Sequence, residues 1–270
     1  MFPSVLKQGD TGSDVHELQA ALLAHGFNPG DLDSVYGQGT VAAVMAFQKS
    51  SGMLADGIAG PRTLTALGLA TDDTLSSAIP AVTVQVVSQM FPSTPISNIK
   101  TNLPGILSSL VEHRLSDKSM VLMALATVRA ETECFKPIAE GLSRFNTSPS
   151  GHPFDLYDSR KDLGNRGEPD GDRFKGRGYI QLTGRANYAK FGPMLSPKVD
   201  LIATPDRACE QDIASSLLAL FLGDKEIAIK QALVAGDMAH ARRLVNGGSH
   251  GLDQFTDAFK RGAALLPDAM

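Results

Sequence analysis

The sequence predicts a mainly α protein in two parts, a small three-helix module followed by a larger helical domain. Three observations predict it. Apolar residues recur at helical spacing in three short stretches of the first seventy residues. A polar, small-residue stretch, 70–80, then interrupts the pattern and ends at Pro80. Beyond it, helical periodicity returns over 84–134, 206–222 and 225–245, and no alternating run is long enough to build a sheet.

Each module helix is announced the same way. A glycine-containing loop and a polar first-turn or capping residue precede apolar residues at i, i+3, i+4. Asp14 leads into Val15, Leu18 and Leu22; Thr40 into Val41, Val44 and Phe47; Thr63 into Leu64 and Leu67. Leu18, Leu22, Val44, Phe47 and Leu64 read as core. Gly26, Gly30, Gly52 and Asp56-Gly57 mark turns. The module is expected over 1–70, a linker over 71–82 and the second domain over 83–270. Breaks are expected at Pro92, Pro95 and Pro104. Residues 141–178 read as long irregular loops beside a cleft, and Tyr179-Ile180-Gln181-Leu182 as a candidate short strand.

The apolar run Met120–Ala130 ends in Glu131. Ala124, Thr127 and Val128 precede it on the same helical face. A carboxyl held against apolar surface at a helix C-terminus resists ionisation. Such a group suits the general acid of glycoside cleavage; a solvated helix end is the plainer alternative. Residues 160–190 then hold eight Lys or Arg against four Asp or Glu, a local +4 in a chain of −4, with six glycines. A basic, glycine-rich surface suits an anionic polymer. No aromatic series is interleaved to stack bases, so nucleic acid is not an expected partner.

Composition bounds the rest. The chain has 270 residues, 43% of them hydrophobic, enough for a packed core. Two cysteines, Cys134 and Cys209, suggest no disulfide framework. The six histidines show no ligand spacing, so neither a metal nor another cofactor is expected. No stretch reaches the ~18 apolar residues of a membrane span, and stable insertion is not expected. A monomer is expected.

Two resemblances sharpen this reading. Leu6–Val15, Leu18-Gln19, Gly26-Phe27, Tyr36-Gly37, Thr40, Ala43-Val44, Phe47-Gln48 and Asp56–Pro61 resemble the peptidoglycan-binding domain of bacterial and phage cell-wall enzymes. Ala130-Glu131-Thr132, Arg160–Asn165 and Phe174–Tyr188, with Val245-Asn246-Gly247-Gly248 and Gly251-Leu252, resemble glycoside hydrolase family 19, closest to its phage-endolysin branch. The second resemblance spans roughly 100–265 and implies a lysozyme-like catalytic domain.

It further implies that Glu131 is the catalytic acid, although Ala130 replaces the usual His and Glu133-Cys134 the usual Gly-Gly. Phe135 matches the aromatic that follows. Glu140 is the first choice for the base that activates water, and Asp158 the second. Gln181, Asn187 and Asn246 match cleft-lining polar residues. Arg177, Tyr179, Thr183 and Tyr188 are grouped with them as candidate substrate contacts. The implied activity is inverting hydrolysis of the β-1,4 bonds of peptidoglycan, which lyses the cell. A chitinase, a catalytically silent wall-binding protein and a wall peptidase are the alternatives. With no signal peptide evident, synthesis in the host cytoplasm and action in the periplasm after release are expected.

Overall fold

The computed structural model describes residues 5–51, 53, 55–69, 77–248 and 251–267. Gly52, expected to mark a turn, and linker residues 71–76 lie outside these. The protein is mainly α. It divides into two compact units, Met1–Ser76 and Ser77–Met270.

The first unit holds helices α1 (Ser13–Ala24), α2 (Gln38–Ser50) and α3 (Pro61–Ala66). Each starts after a glycine, Gly12, Gly37 or Gly60, that makes no side-chain cap. Thr40 and Thr63, two of the polar first-turn residues, instead accept from buried glutamines. Gln19 on α1 donates to Asp33 Oδ1 at 2.8 Å, the Val35 carbonyl at 3.1 Å and Thr40 Oγ1 at 3.1 Å, and its Oε1 accepts from Ser34 N at 3.0 Å. Gln48 on α2 repeats the device with Asp56 at 2.9 Å, Ile58 O at 2.9 Å, Thr63 Oγ1 at 3.2 Å and Gly57 N at 3.0 Å. Both glutamines are buried, and every polar atom of each amide oxygen–nitrogen pair is engaged. The weak sequence repeat is therefore a repeated hydrogen-bond clasp. Leu18, Leu22, Val44, Phe47 and Leu64 pack between the helices as expected, joined by Val15, Tyr36 and Leu67.

The second unit is built around α6 (Lys118–Thr132), whose residues Met120–Val128 are all buried. A helix apolar on every side must be wrapped by others. The wrapping comes from α4 (Val84–Met90), α5 (Ile96–Glu112), α10 (Gln211–Gly223), α11 (Glu226–Val234), α12 (Met238–Asn246) and α13 (Leu252–Leu265). On α13, a Cβ at Gly262 would come 2.4 Å from Leu122 Cδ2, so glycine permits this close approach to α6.

Pro92 and Pro95 separate α4 from α5 as expected. Pro104 does not break α5. Ile99, Leu103, Ile106 and Leu110 bury one continuous face around it, and that packing outweighs one missing hydrogen bond. The expected 225–245 helix is two, α11 and α12, divided at Gly236 with φ of +72°.

The loop segment carries only short elements: β1 (Ile138–Ala139), α7 (Asp155–Asp158), α8 (Asp170–Arg173), β2 (Arg177–Gly178) and α9 (Arg185–Phe191). β1 and β2 pair antiparallel, Ile138 with Gly178 and Ala139 with Arg177. The candidate strand at 179–182 is instead a turn. Arg177 and Leu182 exchange backbone hydrogen bonds at 3.2 and 2.9 Å, and Gly178 and Gln181 take positive φ to close it.

Candidate active site

Glu131 lies in the last turn of α6, where the central helix reaches the surface of its unit. Its side chain is 12% exposed. Its neighbour is not apolar surface alone. Arg242 on α12, fully buried, places Nη2 2.8 Å from Glu131 Oε1. The expectation of a carboxyl isolated among apolar groups is thereby corrected, since a buried cation needs a counter-charge and Glu131 supplies one.

The chain then reverses. Glu133 and Phe135 adopt positive φ, and the Asn98 amide donates to the Cys134 carbonyl at 2.9 Å. Phe135 is buried edge-on against Phe91 at 4.8 Å between centroids. This turn feeds β1, and pairing with β2 sets the next residue, Glu140, beside Gly176; Glu140 N donates to Gly176 O at 2.8 Å.

The Glu140 carboxylate is held from three sides. Oε1 accepts from Asn146 Nδ2 and from Tyr157 OH, both at 2.9 Å, and Oε2 from Gly176 N at 3.1 Å. A carboxylate that only accepts, and accepts three times, is fixed in orientation. Burial, reinforced by the adjacent Glu140 charge, pushes the Tyr157 phenol well above its ordinary range, so it remains a donor.

Gly176 has a steric role as well. A Cβ there would lie 2.8 Å from Gln181 Oε1, 3.1 Å from Glu140 Oε2 and 3.2 Å from Thr183 Oγ1. Three polar side chains thus converge over a glycine. Gln181 is anchored through Nε2 to the carbonyls of Ile138 at 2.9 Å and Gly178 at 3.0 Å. Thr183 donates to Gln181 O at 2.8 Å, and Asn187 to Thr183 O at 2.8 Å.

Glu131, Glu140, Gln181, Thr183, Asn187 and Asn246 all line one cleft of about 620 Å³. Two carboxylates with neutral donors and acceptors between them can place a water and a leaving oxygen, the arrangement needed for acid/base hydrolysis.

Four other expected site residues lie outside this lining. Asp158 is buried at the end of α7, where it accepts from Gly171 N at 2.8 Å and pairs with His152 Nε2 at 2.9 Å. It joins α7 to α8 rather than facing the cleft. Arg177 is buried, bonded to Tyr188 OH at 3.1 Å, Arg173 O at 2.9 Å and Asp206 Oδ1 at 2.7 Å. It borders a separate pocket of about 430 Å³. Tyr188 is fully buried and donates to Lys175 O at 2.8 Å. Tyr179, also fully buried, donates to Asn102 Oδ1 at 2.8 Å. In each case a buried polar group is satisfied by protein, which takes it away from substrate.

The basic loop is likewise largely self-compensated. Arg160, Lys175, Arg177, Arg185 and Lys190 pair with Asp162, Asp172, Asp206, Asp170 and Asp224. Its formal surplus therefore overstates the charge it offers to a polymer.

Arg242, Asn146 and Tyr157 did not emerge from the sequence. Arg242 carries a usable signal: it precedes Asn246 by four residues, so both project from one face of α12. Tyr157 and Asn146 sit in irregular chain and carry none.

Comparison with known proteins separates the units. Residues 11–67 match the peptidoglycan binding domain family. Among curated proteins, the chain is 35% identical over 108 residues to a "Probable N-acetylmuramoyl-L-alanine amidase" of Bacillus licheniformis, covering 38% of this chain and 30% of that protein. It is 42% identical over 74 residues to a spore cortex-lytic enzyme of Bacillus cereus, covering 27% of this chain and 29% of that one. The chain thus spans under a third of the length of these relatives. A crystal structure of a Burkholderia AP3 phage endolysin aligns over 97% of this chain and 99% of that chain at 20% identity, with a TM-score of 0.26.

Proposed function

We propose that the protein is a peptidoglycan hydrolase in which the first unit binds the wall and the second cleaves its glycan strands. The observation that carries the chemistry is the cleft holding Glu131 and Glu140 together, with Glu140 oriented by three donors. In this reading Glu131, paired with Arg242 in the free cleft, takes up a proton from solvent as substrate binds and delivers it to the leaving glycosidic oxygen. Glu140 orients and deprotonates water on the opposite face, and Gln181 and Thr183 hold that water from the side. Arg242 positions Glu131 and compensates its charge once the proton has left. The family match at 11–67 supports wall binding by the first unit. Action on the wall in the periplasm belongs to the same proposal.

Cleavage of the amide between sugar and peptide is the second reading, favoured by the name of the Bacillus licheniformis relative. Mass spectrometry of purified sacculi digested by the protein separates the two. New reducing sugar ends support glycan cleavage; intact strands with freed peptide amino termini support the amidase. An inverting mechanism further requires the first product of a β-linked strand to be the α-anomer, read by NMR during early turnover.

A further inference from the structure

The same cleft has a wall that the acid/base chemistry does not use. The C-terminal turns of α9, α10 and α12 bring Lys190, Phe191, Phe221 and Arg243 to its lining, and Lys225 joins them from the start of α11. Phe191 and Phe221 lie 5.4 Å apart between centroids. Lys190 Nζ sits 5.0 Å from the Phe191 ring and Lys225 Nζ 5.1 Å from the Phe221 ring. Both lysines share one buried carboxylate: Asp224 accepts from Lys190 at 2.7 Å through each oxygen, and Lys225 Nζ is 3.9 Å away. Arg243 is exposed and makes no side-chain ion pair among the described residues. Three cations thus stand beside Asp224 on this wall, and the other carboxylates of the cleft are Glu131 and Glu140.

Lys190 and Arg243 lie in the last turns of α9 and α12, where the helix dipole favours cations, whereas Lys225 precedes α11 and is balanced by the neighbouring Asp224 carboxylate. Dipole capping does not require them to line an open cleft beside aromatic rings. Positive charge focused in a cleft selects anionic ligands. A plain polymer of N-acetylglucosamine is neutral. Peptidoglycan differs from it in carrying peptide stems whose free carboxylates hang beside the sugar backbone.

We propose that Arg243 and Lys225 bind stem-peptide carboxylates, so that the cleft selects the peptide-substituted strand over a bare neutral glycan. This rests on the glycan-cleaving reading above. Lys190 is committed to Asp224 and serves to hold the wall in place.

The test uses the full chain and two substrates: purified sacculi, and the same sacculi with carboxylates amidated by carbodiimide and ammonium, which leaves glycosidic bonds untouched. Initial release of reducing ends is measured for wild type, Arg243→Gln, Lys225→Gln and the double variant. Wild type should favour native over amidated sacculi about tenfold, the size of one charge-assisted contact. Each substitution should lower that preference, and the two together should bring it near one. Equal losses on both substrates, or a preference unchanged in variants whose thermal stability alone drops, would overturn the proposal and leave these side chains as helix caps. Reducing ends absent even with wild type on native sacculi would remove the glycan-cleaving reading and this inference with it.

Discussion

Arg242 Nη2 lies 2.8 Å from Glu131 Oε1, joining the buried face of α12 to the end of the central helix α6. A fully buried guanidinium beside the candidate acid makes Glu131 part of the fold as well as of the cleft. Arg242→Met should therefore do two things. It should lower unfolding free energy by about 3 kcal/mol, because one charge is left without its partner. It should also cut the rate by at least about tenfold, because Glu131 loses its orientation. Denaturant titration and initial rates check the two effects, and Arg242→Lys should restore stability more than rate, since a point charge replaces a planar fork.

Removing one donor from Glu140 should reduce catalysis without abolishing it. Tyr157→Phe deletes a 2.9 Å hydrogen bond to the carboxylate and leaves Asn146 and Gly176 in place. A bond to a charged group contributes about 1.5–3 kcal/mol, so a roughly ten- to hundredfold loss of kcat is expected, with KM little changed. Glu140→Gln should cost about 10²–10⁴-fold. Asp158→Asn should act mainly on stability, because Asp158 lies between α7 and α8 rather than in the cleft.

Gly176→Ala is the most economical probe of the cleft floor. The new methyl would press on Gln181 Oε1 at 2.8 Å and Glu140 Oε2 at 3.1 Å. The expected result is a loss of activity of tenfold or more, on the order of a single misplaced catalytic contact, with an unchanged circular dichroism spectrum.

Acid sensitivity should trace to Asp170. The Arg185 guanidinium, bonded to it at 2.6 and 2.7 Å, holds this buried carboxyl below the usual carboxylate range. A depressed folded pKa gives stability that is present above the unfolded value, near 3.8, and lost as pH falls through the lower folded value. Unfolding free energy should thus decline below about pH 4, and Asp170→Asn should flatten that decline while destabilising the protein at neutral pH. Urea titrations across pH 2.5–7 would show it, a window of roughly the carboxylate range.

The fold was legible where one physical signal dominated. Met120–Val128 could only be a buried helix, and Leu18, Val44 and Phe47 could only be core in a module that small. Pro104 misled because local propensity was set against a packing face that the sequence displays only when α5 is read as one helix. In the cleft, Glu131, Glu140, Gln181, Thr183, Asn187 and Asn246 came from ordered motifs whose family likeness gave each a position. Arg177, Tyr179 and Tyr188 came from the same motif yet face inward. A loop has no periodicity, so nothing in it tells a side chain that meets substrate from one that supports the backbone behind. Arg242 escaped for the opposite reason: a charged residue on a polar-looking helix is expected outside, and only its partner explains its burial. The clasps of Gln19 and Gln48 belong to the same class, since a buried amide is intelligible only once its acceptors are seen.

The central claim is that Glu131, sharing one cleft with an oriented Glu140, acts as the acid in glycan cleavage. The most direct measurement is the release of reducing ends from purified sacculi by Glu131→Gln, normalised to folded protein by a denaturant titration on the same sample. Normalisation matters because the substitution leaves the Arg242 charge uncompensated, although the amide oxygen can still accept its hydrogen bond. A loss of about 10³-fold or more, with sacculus binding retained through the first unit, is the predicted result. A folded Glu131→Gln protein that releases reducing ends at close to the wild-type rate would contradict it.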